Sequence, residues 1–174
     1  MPPPCSGRAS GGHPAPSAKT PPAGHYDRGV IWLLRHGDAE DEAPDDASRE
    51  LTKKGQRQAR DAGCALAALG VHFDVCLSSP KVRAAQTARL ACAELALEVE
   101  IDERLRGGDF DPAELAAGRG NVLMVGHEPD FSRAIWAHTG ARVELKKGGI
   151  AGMDGSVLVT LLRAPQVRLI AAAR

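Results

Sequence analysis

The feature that most constrains this chain is a set of short apolar runs, each ending abruptly in polar residues. Val30-Ile31-Trp32-Leu33-Leu34 leads into Arg35-His36-Gly37, Val71 to Leu77 into Ser78-Ser79-Pro80, and Val122-Leu123-Met124-Val125 into Gly126-His127. Apolar runs of this length without alternation suit strands buried on both faces, as in a parallel sheet covered by helices. The segments between them support that reading. Thr52 resembles an N-cap, and Lys53 to Leu69 carries apolar residues at helical spacing up to Gly70. Pro80 is expected at the first position of a helix that runs to about Leu95. A short strand is expected over Leu97 to Ile101, and a brief helix near Pro112 to Ala117. A further helix is expected from Asp130 to about His138, and two strands close the chain, over Ser156 to Leu162 and Val167 to Ala172. The predicted class is α/β, with a largely parallel sheet covered on both faces.

In open sheets of this kind, ligands bind beyond the carboxyl ends of the strands. Arg35 and His36, Ser78 and Ser79, and Gly126 and His127 all follow strands, and Arg83 lies in the first turn of the next helix. One sheet edge therefore collects two histidines and two arginines. Arginine forks suit phosphate because they donate paired, charge-assisted hydrogen bonds and stay ionised. A histidine kept unprotonated is a nucleophile towards phosphorus. Arg35 and Arg83 favour that neutral form for His36, while His127 is expected to stay protonated and donate to phosphoryl oxygens.

Composition removes several other classes. Lys+Arg and Asp+Glu are equal at 22 each in 174 residues, so no global field draws the protein to nucleic acid or an anionic membrane. Aromatics make up 3%, with Tyr26 the only tyrosine, too few for base-stacking platforms. Cys5, Cys64, Cys76 and Cys92 show no CxxC spacing; Cys64, Cys76 and Cys92 fall in expected helices and a strand and read as buried thiols, which fits a reducing cytoplasm. The loop spacing of Asp38, Glu40 and the histidines fits no zinc pattern, and no metal or cofactor is expected. Residues 1–28, rich in Pro, Gly and Ser, are expected to be a disordered tail ahead of a domain over 29–174. Arg49, Lys53, Lys54, Lys146 and Lys147 read mainly as solvated surface charge, as does Lys81.

Leu34-Arg35-His36-Gly37, Ser78-Ser79-Pro80 with Arg83 and Gln86-Thr87-Ala88, and Gly126-His127 resemble the motifs of the histidine phosphatase superfamily, the group that includes phosphoglycerate mutases. Arg-His-Gly-Asp-Ala (35–39), Leu51-Thr52-Lys53-Lys54-Gly55 and Gly126-His127-Glu128-Pro129 resemble its SixA-type phosphohistidine phosphatases. The resemblance covers about residues 30 to 161. It implies a three-layer α/β/α sandwich with a mostly parallel central sheet, phosphoglycerate mutase-like, and no cofactor. It implies His36 as nucleophile, with Arg35, Arg83 and His127 as the phosphate pocket. Mutase-like relatives add a glutamate that protonates the leaving oxygen. Arg104 to Asp109 offers no such glutamate, which leaves Asp109 and Glu128 as substitutes. Imidazole departs more readily than an alkoxide because its conjugate acid has a pKa of about 6.5, so a missing acid favours phosphohistidine. The expected partner is a phosphorylated substrate, in particular a phosphohistidine-bearing signalling protein. Alternatives are a small phosphomonoester such as a sugar phosphate, or a non-catalytic phosphate-binding module.

Overall fold

A computed structural model describes residues 29–173; the tail assigned to residues 1–28 lies outside the described residues, as does Cys5. A six-stranded sheet runs in the order β3-β2-β4-β1-β5-β6. Its strands are β1 (Ile31–Arg35), β2 (Val75–Ser78), β3 (Val99–Ile101), β4 (Val122–Gly126), β5 (Ile150–Asp154) and β6 (Val157–Leu162). The first four are mutually parallel, whereas β5 runs antiparallel to β1 and β6 antiparallel to β5. Helices α1 (Lys53–Ala68), α2 (Val82–Ala93) and α5 (Ala164–Ala172) cover one face, and α3 (Pro112–Ala116) and α4 (Asp130–Thr139) the other. This is the three-layer α/β/α arrangement.

The pleat of β1 explains both cores. Trp32 and Leu34 point into one, among Leu66, Ala84 and Ala88, while Leu33 points into the other, against Met124, Phe131 and Ile135. All three β1 side chains are completely buried, each contributing roughly 1.5–3 kcal/mol of transfer free energy. Small residues let the helices approach closely. A Cβ on Gly63 of α1 would stand 2.3 Å from the Ala91 carbonyl oxygen of α2. Thr52 does cap α1, its hydroxyl accepting from Gly55 N–H at 3.0 Å.

Three expectations are corrected. Val71 to Asp74 is not strand: Asp74 Oδ2 turns to accept from Asn121 N–H at 2.8 Å, and β2 begins only at Val75. Pro80 does not open α2; Lys81 is still extended (φ −62°, ψ 134°), and the helix starts at Val82. Val167 to Ala172 is not a strand but most of α5. Pro165 stands in that helix's first turn, and Gln166 Oε1 accepts from Arg163 N–H at 2.9 Å. The second antiparallel partner is instead β5, which the sequence reading omitted. Among the described residues no helix is long and apolar enough to cross a membrane.

Candidate active site

The site grows out of the sheet ladder. Beyond β1, His36 N–H donates to the Gly126 carbonyl at 3.0 Å, and beyond β2, Ser79 N–H donates to the Val125 carbonyl at 3.0 Å. The hydrogen-bond pattern thus continues through all three junctions and delivers His36, Ser79 and His127 to one level. The chain after His36 can then turn only because glycines meet there. A Cβ on Gly37 would lie 2.6 Å from the Gly55 carbonyl oxygen, and one on Gly55 would lie 1.9 Å from that of Asp38. The N-terminal turn of α1 therefore rests directly on the backbone that follows His36.

His36 and His127 are 6% and 5% exposed, with ring centroids 5.1 Å apart. His36 Nδ1 lies 2.7 Å from the Gly37 carbonyl oxygen. A carbonyl accepts only, so Nδ1 carries the proton and Nε2 keeps its lone pair. Arg83 Nε donates to that Nε2 at 3.2 Å. Burial is the main cause that pushes the His36 pKa down to about 4; the Gly37 carbonyl opposes it, and Arg83, Arg35 and Lys147 add to it. His36 is accordingly neutral near pH 7.

His127 departs from expectation. Burial first, then His36, Arg83 and Lys81, push its pKa down to about 3, with Asp46 opposing. Near pH 7 this ring is neutral, not the protonated donor anticipated. Its Nε2 stands 2.7 Å from Ser79 Oγ, and its buried Nδ1 has no partner among the described residues. Ser79 Oγ also accepts from Lys81 N–H at 3.3 Å. The hydroxyl proton is then free for Nε2; with that bond donated, the ring's own proton sits on the unpartnered Nδ1.

Arg83 is 5% exposed and held from two sides. Its Nη1 donates to the Asp46 carbonyl and its Nη2 to Asp46 Oδ2 at 3.1 Å; Lys81 Nζ reaches the same oxygen at 2.9 Å. Hydrogen bonds from Lys81 and then Arg83 hold the Asp46 carboxyl far below the usual carboxylate range. Thr87 ties Arg83 to the turn after His36, accepting from Gly37 N–H at 3.1 Å and donating to the Arg83 carbonyl at 2.7 Å. Arg35, at the end of β1, donates from Nη1 to the Leu145 carbonyl at 2.8 Å, and its buried Nε has no partner among the described residues. The four basic residues singled out in the sequence do converge.

The acid substitutes fare differently. Asp109 has a side chain 88% exposed, paired with Arg133 at 3.0 Å. Glu128 keeps Oε1 buried without a partner among the described residues, and its charge acts on Arg35. Neither carboxyl hydrogen-bonds to His36, His127 or Arg83. Sequence reasoning passed over three contributors. Asp46 is one of many acids in its loop, Ser79 stands out in the sequence only as part of the Ser-Ser-Pro motif, and Lys81 reads as solvated. Lys147 likewise pairs with Asp38, at 2.8 Å. Among the described residues no cluster of three or more histidine, cysteine or acidic side chains is placed to hold a metal.

Comparison with known proteins bears on the family and the fold. An uncharacterised protein of Picosynechococcus sp. is 36% identical over 137 residues, covering 71% of this chain and 83% of that protein. The mitochondrial serine/threonine-protein phosphatase Pgam5 of Drosophila ananassae is 37% identical over 70 residues, which span 40% of this chain and only 24% of Pgam5. Among solved structures, the protein histidine phosphatase SixA, complexed with tungstate, matches with a TM-score of 0.69 at 22% identity, over 78% of this chain and 97% of SixA. The family description of the histidine phosphatase superfamily (branch 1) matches residues 31–144, from β1 through the segment beyond α4. With both histidines and both arginines gathered inside that span, the chain belongs to branch 1 of the histidine phosphatase superfamily and is a phosphatase.

Proposed function

We propose that this phosphatase removes the phosphoryl group from phosphohistidine in a protein, through a covalent intermediate on His36 Nε2. The observation that carries the reading is the fixed tautomer of His36, whose Nδ1 is tied to the Gly37 carbonyl and whose Nε2 faces Arg83. An entering phosphoryl oxygen takes over the Arg83 Nε–H, and Nε2 attacks phosphorus in line. The new P–N bond forms as the substrate P–N bond breaks. The leaving imidazole, protonated on its distal nitrogen, departs neutral. Arg35, Arg83 and the His127 Nδ1–H hold the three equatorial oxygens as their charge redistributes. Water then attacks phosphorus, His36 leaves as neutral imidazole, and phosphate is released.

The preference for phosphohistidine rests on the leaving group. An alkoxide needs a proton from the enzyme, and neither Asp109 nor Glu128 is hydrogen-bonded into the cluster. Asp46 does reach it but is kept ionised by Lys81 and Arg83. Imidazole, with a conjugate-acid pKa of about 6.5, leaves without such help. The similarity to Pgam5 favours a second reading, phosphoserine or phosphothreonine in a protein.

Quenching turnover of a labelled phosphohistidine protein in base and mapping the label tests the intermediate. Label on His36, acid-labile and base-stable, is expected; label elsewhere, or none during turnover, overturns it. Parallel kinetics on phosphohistidine, phosphoserine and sugar-phosphate substrates test the preference. A higher kcat/KM for either ester than for phosphohistidine would remove it.

A further inference from the structure

Around the active site most surface cations are already paired. Arg49 meets Asp41 and Asp46, Lys81 meets Asp46, Arg133 meets Asp109, and Lys147 meets Asp38. The groove between α1 and α5 is different. Lys54, Arg57 and Arg168 line it, all exposed, and none has an ion-pair partner among the described residues. The one acid in its wall is Asp61. In the same wall Leu169 is 73% exposed, the most exposed large apolar side chain among the described residues. The groove has a volume of about 860 Å³.

Its position connects it to the reaction. Gln58, also in the wall, accepts from Asp38 N–H at 2.8 Å, two residues beyond His36. At the other wall, α5 starts directly after Leu162, which pairs with Ile150, which pairs in turn with Leu34. Both helices therefore present their N-terminal turns at the edge of the sheet where His36 and His127 stand.

We propose that the α1–α5 groove is the docking surface for the protein that carries the phosphoryl group, and that it takes an acidic segment bearing one apolar anchor. Unpaired cations on both walls select the acidic residues. Leu169 supplies apolar area for the anchor. Complementary charge of this sort acts mainly on encounter and orientation. The inference rests on the reading that the donor is a protein, since a free phosphomonoester needs no docking surface beyond the His36 pocket.

The test uses the full chain and the charge-reversed variant K54E/R57E/R168E, with L169A made separately. Hydrolysis of a small phosphodonor, p-nitrophenyl phosphate or phosphoramidate, is expected to be unchanged in both, which shows the site and fold intact. Binding of a fluorescent, unphosphorylated peptide of alternating glutamate and leucine, followed by anisotropy, is expected to weaken on the order of tenfold in the charge-reversed variant. The loss is expected to vanish at high salt. A smaller loss of the same kind is expected for L169A. For the same peptide carrying phosphohistidine, KM rises and kcat holds. Peptide binding indifferent to the substitutions overturns the docking surface, even where phosphohistidine turnover stands. Reversal that alters only self-association, or only binding to phosphatidylserine vesicles, overturns it too, because the groove then serves another partner. Failure of the wild type to hydrolyse any phosphohistidine overturns the functional reading instead, and the anisotropy result still decides the groove.

Discussion

His36 and His127 stand 5.1 Å apart, centroid to centroid, in the same buried pocket, yet they are held in different ways. His36 is gripped at both nitrogens, by the Gly37 carbonyl on one side and Arg83 on the other. His127 is held at Nε2 alone, by the Ser79 hydroxyl, and its Nδ1 faces no partner among the described residues. A backbone carbonyl cannot exchange its role, so the proton of His36 is fixed where a nucleophile needs it. A hydroxyl can both give and take, so His127 remains adjustable. The difference separates a ring that must present a lone pair from one that must adapt to a changing charge.

The widest gap between the rings lies in what their removal does. His36→Ala deletes the nitrogen proposed to bond phosphorus, and turnover is expected to fall by a factor on the order of 10⁴ or more. Far-UV circular dichroism should show the fold intact. His127→Ala removes one proposed donor to the equatorial oxygens, for which a loss of about 10²–10³ in kcat is expected. Its phosphoenzyme should still form on His36 in a rapid quench. Equal losses in the two variants, with no phosphoenzyme in either, would break the distinction drawn between them.

The rings also predict how stability responds to pH. Both folded pKa values, about 4 for His36 and about 3 for His127, lie below the ordinary 6.5. Between pH 6.5 and 4 the unfolded chain takes up protons at these rings that the native chain refuses. Unfolding free energy should therefore fall as the pH falls through that window, by up to roughly 1.4 kcal/mol per pH unit for each ring. Urea denaturation at pH 7.5, 6 and 5 reads this directly. Replacing both histidines by alanine should flatten the slope. Bound phosphate or tungstate should likewise flatten part of it in the wild type, by favouring a protonated His127 while leaving His36 as it is.

The same contrast marks what was legible in the sequence. The four parallel strands and the helices between them were readable because each junction is local: an apolar run, then Arg-His-Gly, Ser-Ser-Pro or Gly-His. That locality placed Arg35, His36, Arg83 and His127 at one edge before any coordinates. Two things were not local. The β5–β6 pair carries a register shift at Gly152/Met153, which blurs the strand pattern, and in α5 the β-branched Val167 and Ile170 outweighed Pro165 as a signal. Partners of the site residues were hidden more deeply. Asp46 reaches Arg83 from a loop 37 residues away and Ser79 reaches His127 across 48, so neither has a sequence pattern of its own.

Ser79 gives the finest test of the comparison. Its hydroxyl is fully buried, accepts from Lys81 N–H and lies 2.7 Å from His127 Nε2. If it donates there, the His127 proton sits on Nδ1, the nitrogen that has no partner among the described residues. Ser79→Ala leaves Nε2 without that donor, and the two tautomers of His127 become comparable in energy. Only the fraction with Nδ1–H is then ready to bind, so kcat/KM should fall by a few-fold to about tenfold, the scale of one neutral hydrogen bond near 1 kcal/mol. The decisive measurement is ¹⁵N NMR of the imidazoles near pH 7. In the variant, the His127 resonances should move from the Nδ1–H pattern towards an average of the two forms. His36, whose tautomer depends on a carbonyl rather than a hydroxyl, should not move and serves as the internal control. Unchanged His127 shifts would mean that the ring is oriented by packing alone, and the adjustable character assigned to it would rest on nothing.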